Sequence, residues 1–520
     1  MTTFLVLVAV ALTVAVLIGF PYLLGAGGGV TRGLASGLEV TQAMSRVAMW
    51  MTTTQTRPRH RLWPWSPASE LGMELARVRW WGLLSRRIFA SFESIVAVFG
   101  PPGMGKTGLL ALITKWFPGP ALAVSTSVDL LKLTLSARRK RGPVWVFNPE
   151  GLSLDLPAED LADVQPIRWD ITQGCDQPNE AIRRAGGLIS GASTGGLKEA
   201  DWWEGNAHRV LYCLLMASAL VGGGSRSVGE WASNLADRAP LDILENHPSA
   251  PRGWSAHLLQ LHDSEADKTV ASIELTLKPV VEFLSDPSLV DSVTPVAGEC
   301  FDPEWLITSG GSLYLVASDR PHTPLGPLFA ALTTHVHETA KRLGASQRLD
   351  PPLLETLDEA ALICRVPLQR WTSDARKHGI TMALGFQNKS QLREVWGPDG
   401  ADTIWNNATV KVATGAISDK DTLEQMALHG GEARARVNGR IEQRPVLTPD
   451  AIRRVPDGHV TVLHRNCRPV QGPASLVWNG PGWVRSLARR CRRTRTTTPP
   501  ETVASVVDLA AHRTHREDAA

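Results

Sequence analysis

The chain has 520 residues and a formal net charge of +3, so it can hold two or three domains with real cores, and its global charge does not announce a nucleic-acid-binding protein. Its six cysteines (Cys175, Cys213, Cys300, Cys364, Cys467 and Cys491) are scattered, with no C-x-x-C pair. They signal neither a disulfide scaffold nor a zinc site, and they fit a reducing compartment.

Phe4 to Leu24 is an almost wholly apolar run of 21 residues, and the first charge in the chain is Arg32. That length spans a bilayer core as a helix, whereas the uncharged start and the length of the run weigh against a cleaved signal peptide. Positive charge follows the run at Arg32, Arg46, Arg57, Arg59 and Arg61. The positive-inside tendency therefore puts the body in the cytoplasm, with residues 1–30 as a single-pass anchor in the cell membrane. Residues 31–75 read as a juxtamembrane linker, in which Trp63 and Trp65 are either an interfacial aromatic anchor or plain linker residues. The run ELARVRWWGLLSRR that follows has helix-like spacing.

Residues 96–107 read VAVFGPPGMGKT and lead into GLLALITKW. A β-rich apolar run, a glycine turn, a Lys-Thr pair and a helical pattern make a P-loop in its strand–loop–helix setting. Gly100, Pro101, Pro102, Gly103, Met104, Gly105, Lys106 and Thr107 form the expected nucleotide-binding loop. Its glycines let the backbone turn tightly and point amide N–H groups at phosphate oxygens. Lys106 can reach the β- and γ-phosphates, and the Thr107 hydroxyl can ligate Mg²⁺. ATP and Mg²⁺ are the cofactors this loop calls for.

GPALAVSTSVD and GPVWVFNPEG read as strand-and-turn pieces of a core sheet, with the basic helical stretch LLKLTLSARRKRG between them. Its ARRKRG segment (137–142) is either a DNA contact or a solvated charged face. From 176 to 290 the pattern becomes helical throughout, as in DWWEGNAHRVLYCLLMASALV and EADKTVASIELTLKPVVEFL. Trp202 and Trp203 either pack in a core or stack on a base. Strand signals return at GSLYLVAS, PPLLETLDEA, GITMALGFQ and NATVKVATGA. This alternation predicts an α/β P-loop NTPase with a mainly parallel sheet flanked by helices. The nucleotide-binding domain occupies 76–175 and 291–482, interrupted by an all-helical insertion at 176–290. The tail at 483–520 is basic, then polar, and reads as disordered.

A P-loop needs a metal-holding acid at the tip of another strand, and LLETLDEA supplies one. Asp358 would join Thr107 on Mg²⁺, and Glu359 would orient and activate the attacking water. Glu355 breaks the apolar run, and strand alternation would turn it outward. Gln387 ends the next apolar strand, as a γ-phosphate sensor or an ordinary strand-end hydrogen bonder. Arg376 and Lys377 precede that strand. In a ring one of them could reach a neighbouring subunit's nucleotide as a trans finger; otherwise both are solvated turn cations.

Thr107 and Asp358 lie 251 residues apart. The GPPGMGKT loop resembles that of AAA+ modules, but those place the two motifs far closer. With the N-terminal apolar segment, the P-loop, FNPEG (147–151), DWWEGNAHRVLYCLL (201–215), LLETLDEAALI (353–363), HGITMALGFQNKSQLREVWG (378–397) and IWNNATVKVATGAISDKDTLEQMALHGGE (404–432), the chain resembles type IV secretion coupling proteins of the TraG/TraD class. The stretch 378–432 carries that resemblance most specifically. The family often has two membrane helices, where this sequence shows one apolar run. The resemblance implies a RecA-like fold and a membrane-anchored, homo-hexameric ATPase. Such a protein brings DNA, single-stranded with an attached relaxase, to the components of a secretion channel and helps pump it through. An FtsK-like double-stranded DNA translocase is a rival reading, which the 251-residue gap disfavours. A membrane recruitment module that binds ATP with little hydrolysis is another.

Overall fold

The computed structural model describes residues 33–60, 63–81, 84–192, 200–262, 267–296, 298–318, 324–437 and 440–478. The apolar run 4–24 and the basic tail 483–520 lie outside the described residues. Among the described residues, no helix is long and apolar enough to cross a membrane.

The chain begins with helices α1 (Gly37–Met44) and α2 (Arg46–Thr56), then an antiparallel pair, β1 (Met73–Trp81) and β2 (Leu84–Ala90). Strand β3 (Val96–Phe99) leads into α3 (Lys106–Trp116), followed by β4 (Ala121–Ser125), α4 (Asp129–Arg138), β5 (Val144–Phe147) and β6 (Val164–Pro166). A helical run comes next: α5 (Pro178–Gly191), α6 (Ala200–Val221), α7 (Gly224–Ser233), α8 (Ala239–Asn246), α9 (Ser255–His262) and α10 (Asp267–Val281). Strands then alternate with helices again through β7 (Ser312–Val316), α11 (Gly326–Ser346), β8 (Leu353–Leu357), α12 (Leu368–His378), β9 (Ile380–Phe386), α13 (Lys389–Asn407), β10 (Val410–Thr414) and α14 (Lys420–Gly430). A ribbon of β11 (Glu432–Val437) and β12 (Arg440–Pro445) precedes the final pair, β13 (His459–His464) and β14 (Cys467–Pro473).

The central sheet runs β14-β13-β10-β3-β9-β8-β4-β7-β5-β6. From β10 to β6 every neighbour is parallel; β13 and β14 close one side antiparallel. The α/β, mainly parallel architecture expected from the alternating pattern is the one observed. Strands β3, β4, β7, β8, β9 and β10 are buried along their whole length, as short unbroken apolar runs in a sheet covered on both faces should be. On β3, Ala97 and Phe99 face a core shared with α5 to α10, while Val96 and Val98 face one shared with α1, β1 and α3. The helical run thus packs into the same apolar core as one sheet face.

Three expectations need correcting. ELARVRWWGLLSRR, read as helical, is the β1–β2 hairpin, with Arg77 opposite Arg87. The Val and Trp content suits a strand, and a glycine in the middle of the run would cost a helix about 1 kcal/mol. Tertiary pairing decides the matter: Ala76 bridges to Ala474, and the Ser475 amide donates to the Leu75 carbonyl at 3.1 Å. Within 31–75, read as a linker, α1 and α2 pack on the body. Ser36 and Glu39 form a reciprocal capping box, and Arg468 grips Glu39 at 2.9 and 2.7 Å. Glu355 is fully buried rather than turned outward, because this sheet has no solvent side. His337 Nδ1 lies 2.9 Å from its carboxylate, and the imidazole stacks on Trp371 with centroids 3.8 Å apart. Trp63 and Trp65 stack on each other at 5.2 Å; the side chains of Trp202 and Trp203 lie outside the described residues.

The ARRKRG segment is largely occupied with the fold. Arg138 is fully buried and donates to the carbonyls of Phe117 (2.8 Å) and Gly119 (2.7 Å) and to Ser312 Oγ (2.7 Å). Arg139 pairs with Asp160 and Asp163, and Arg141 with Glu70. Arg138→Ala would strand those acceptors, so a loss of about 3 kcal/mol in unfolding free energy is expected, measured by denaturant titration.

Candidate nucleotide-binding site

The tips of β10, β3, β9, β8 and β4 lie side by side at one edge of the sheet, because parallel strands all end at the same edge. The P-loop leaves β3 there. Gly100 is required by space: a Cβ at this position would collide with Thr414 Oγ1, and the Gly100 amide donates to the Phe386 carbonyl at 3.2 Å. Gly103 and Gly105 adopt left-handed backbone, φ +79° and +89°, which L side chains rarely reach. Gly105 caps α3, so the unpaired amides of the helix N-terminus open onto the loop. Pro101 and Met104 are half-buried, and Pro102 is exposed on the outer turn.

Lys106 is 5% exposed, and its Nζ donates to the carbonyls of Gly100 (2.7 Å) and Pro101 (3.2 Å). Burial lowers the pKa of its amine, while Glu359 and Asp358 pull it back up. Thr107 Oγ1 donates to Asp358 Oδ2 at 2.7 Å. The other carboxylate oxygen, Asp358 Oδ1, is buried without a hydrogen-bond partner, one of eleven such side-chain atoms among the described residues. Burial pushes the Asp358 carboxyl up to about 6, with the Thr107 hydrogen bond opposing. A hydroxyl, an under-satisfied carboxylate and a turn of free amides fit a divalent cation with a polyphosphate.

Glu359 follows directly with left-handed backbone, φ 60°, uncommon for a residue with a Cβ. Its Oε2 accepts from Thr126 Oγ1 at 2.8 Å, at the tip of β4. Gln387 sits at the tip of β9, between the P-loop strand and the acid strand, its amide donating to Gln391 Oε1 at 3.1 Å. The P-loop, Asp358, Glu359 and Gln387 are therefore brought together. Arg376 is not: it ends α12 at the edge where β9 begins, across the sheet from its own P-loop. Three further contributors had no strong signal in the sequence. Thr126, in a Ser-Thr-Ser run after β4, holds Glu359; Thr414 dictates Gly100; and Gly385 gives Asp358 room, since a Cβ there would come within 2.9 Å of Oδ1.

Residues 352–457 match the family model described as the TraM recognition site of TraD and TraG. Over 83 residues the chain is 31% identical to the conjugal transfer protein TraG of Rhizobium radiobacter; the match covers 16% of this chain and 13% of that protein. Among solved structures, the plasmid coupling protein TrwB in complex with the non-hydrolysable ATP analogue ADPNP aligns with a TM-score of 0.59 at 21% identity, covering 74% of this chain and 86% of that one. TrwB in complex with ADP and Mg²⁺ aligns with a TM-score of 0.58 at 21% identity, covering 74% and 85%. Fold and loop together define the class, a mainly parallel α/β protein with a P-loop between its central strand and the following helix. The family match, the curated relative and the TrwB-like fold support placing the chain with the TraG/TraD coupling proteins of type IV secretion, as the motifs at 378–432 imply.

Without metal or nucleotide, the raised pKa of Asp358 has a definite sign. The group favours folding below about pH 4, and that contribution is lost as pH rises through about 6, a difference of about 3 kcal/mol at 1.4 kcal/mol per pKa unit. Asp358→Asn removes the buried charge. The variant should melt higher than the parent at pH 8 in chelator, and should gain no stability from MgADP where the parent does; differential scanning fluorimetry reads both.

Proposed function

We propose that this protein is a membrane-anchored ATPase that couples ATP hydrolysis to the recruitment and translocation of DNA, or of a nucleoprotein, through a type IV secretion or conjugation channel. In this reading the apolar segment 4–24 tethers the body on the cytoplasmic side. Six copies form a ring, and the cargo is single-stranded DNA with an attached relaxase. The halves 76–175 and 291–482 form the nucleotide-binding domain, with 176–290 inserted between them and 483–520 as a basic tail. The observation that carries the proposal is the conjunction, within one chain, of the Thr107–Asp358 contact with the family match over 352–457. The names of the related structures, TrwB with an ATP analogue and TrwB with ADP and Mg²⁺, support the choice of cofactors.

The residues divide the work as phosphoryl transfer requires, by positioning and charge. Backbone amides of the loop at Gly103 and Gly105 would hold the phosphates, and Lys106 would move from the loop carbonyls to the β- and γ-oxygens. Thr107 and Asp358 would hold Mg²⁺, which when bound neutralises charge on the β- and γ-phosphates. Glu359, kept in place by Thr126, orients the attacking water and takes its proton. Gln387, at the tip of β9, would hydrogen-bond either that water or the γ-phosphate.

ATP turnover by the full-length protein, measured with and without single-stranded DNA, tests this. DNA should stimulate turnover, and Lys106→Ala should abolish it; turnover indifferent to every DNA, or to Lys106→Ala, would overturn the motor reading. Glu359→Gln should retain affinity for a fluorescent ATP analogue while lowering turnover at least about 100-fold.

A further inference from the structure

One buried pair in the sheet has no part in holding phosphate or metal. Glu355 is the only charged residue within β3, β4, β7, β8 and β9. On its face of β8 the flanking residues, Leu353 and Leu357, join the apolar core. Its carboxylate oxygens lie 2.9 and 3.2 Å from His337 Nδ1 on α11, and both side chains are fully buried. His337 Nε2 is buried without a hydrogen-bond partner. Replacing such a pair by well-packed apolar side chains is often neutral or stabilising, so stability alone gives no reason for it here.

The pair lies between the nucleotide site and α12. Just beyond Glu355, β8 runs out into Asp358 and Glu359. Its other face is tied to the P-loop helix by Thr356 with Thr114 at 2.8 Å, and its tip by Asp358 with Thr107 at 2.7 Å. On the far side, the His337 imidazole lies flat on Trp371 of α12, with centroids 3.8 Å apart and planes 3° from parallel. The same two helices are joined again by Lys341 and Asp374 at 3.1 Å. They press together at their ends, where a Cβ on Gly344 would collide with the His378 carbonyl. The last turn of α12, held along α11 in this way, carries Arg376 and Lys377, both exposed. From Asp358 to α12 the route runs through one strand and side chains in contact.

We propose that Glu355, His337 and Trp371 form a positioning link between the two ends of this route. Through it, the acid strand of one nucleotide site sets the placement of α12, and so of the cations offered to the nucleotide of a neighbouring copy. His337 is a positioning residue in this role, acting on α12 through Trp371. A hydrogen-bonded pair suits the role better than an apolar contact. The carboxylate fixes the direction of the imidazole, and with it the plane on which Trp371 lies. Packed interiors shift between discrete arrangements instead of deforming smoothly, so a small displacement at the tip of β8 is passed to α12 as a whole. The inference rests on the ATPase and ring readings proposed above, and adds to them a route by which the sites of adjacent copies are coupled.

ATP turnover by the full-length protein with single-stranded DNA present, and its binding of a fluorescent ATP analogue, test the link. Glu355→Leu with His337→Phe replaces the pair by apolar groups of similar shape. This double variant should melt no lower than the parent and bind the analogue with the parent's affinity, yet lose turnover at saturating ATP at least about tenfold. Glu355→Gln, which keeps an acceptor for Nδ1, should retain most of the turnover. Trp371→Leu cuts the link at α12 alone, and should reproduce the loss even if the double variant does not fold. Co-expression of the double variant with Lys106→Ala locates the effect. The first supplies an intact P-loop and the second an intact α12, so mixed assemblies should turn over ATP faster than either variant alone. Parent-like turnover in the folded variants, or mixed assemblies no faster than their components, overturns the link alone. If the parent itself turns over no ATP, the ATPase reading falls with it.

Discussion

Bringing the tips of β3 and β8 to within one strand of each other is the constraint on which the candidate site depends. The contact it produces, Thr107 to Asp358 at 2.7 Å, closes a chain separation of 251 residues. Closing a flexible loop of that length costs about 5 kcal/mol by the logarithmic scaling of closure entropy, against about 1 kcal/mol for one hydrogen bond. The contact is therefore a result of the fold and not its cause. Burial of β3, β9, β8 and β4 on both faces holds the two tips in place, and their parallel direction puts every tip at the same edge.

A sheet buried on both faces leaves its polar members no water to turn to, and each needs an internal answer. Thr114 and Thr356 meet at 2.8 Å between α3 and β8, Glu355 meets His337, and Arg138 gathers two carbonyls of the α3–β4 loop. Asp358 Oδ1 is one of eleven buried side-chain atoms without an answer among the described residues, His337 Nε2 being another, but it alone belongs to the carboxylate that Thr107 of the P-loop contacts. Its place beside the Thr107 hydroxyl, at the tip of β8, makes this the atom whose bonding a ligand of the P-loop would complete.

Much of the site was legible in the sequence, because the P-loop must be spelled in consecutive residues and an acidic pair after an apolar strand is a local pattern. Gln387 was legible for the same reason. What the sequence hid were relations across strands. Nothing local to Thr414 says that its hydroxyl occupies the space a Cβ on Gly100 would need, and nothing local to Gly385 says that it faces Asp358. The β1–β2 hairpin was misread because helical spacing and strand alternation overlap in a short run, and the pairing that decided between them came from Ala474 and Ser475, about 400 residues away in sequence. Glu355 was misread because period-two alternation assumes a wet face, which a covered parallel sheet lacks.

The two carbonyls that hold Lys106 belong to the loop it serves, those of Gly100 and Pro101. The ammonium is already partly dehydrated and braced across the turn, so the loop is its own template. In the proposed reading, phosphate capture would be a swap of acceptors, from neutral carbonyl oxygens to charged ones, with little new order imposed on the side chain. Selectivity would follow from the same swap: an anion too weak to displace two carbonyls would gain nothing from the lysine, and the loop would discriminate by the strength of the acceptor as much as by its shape.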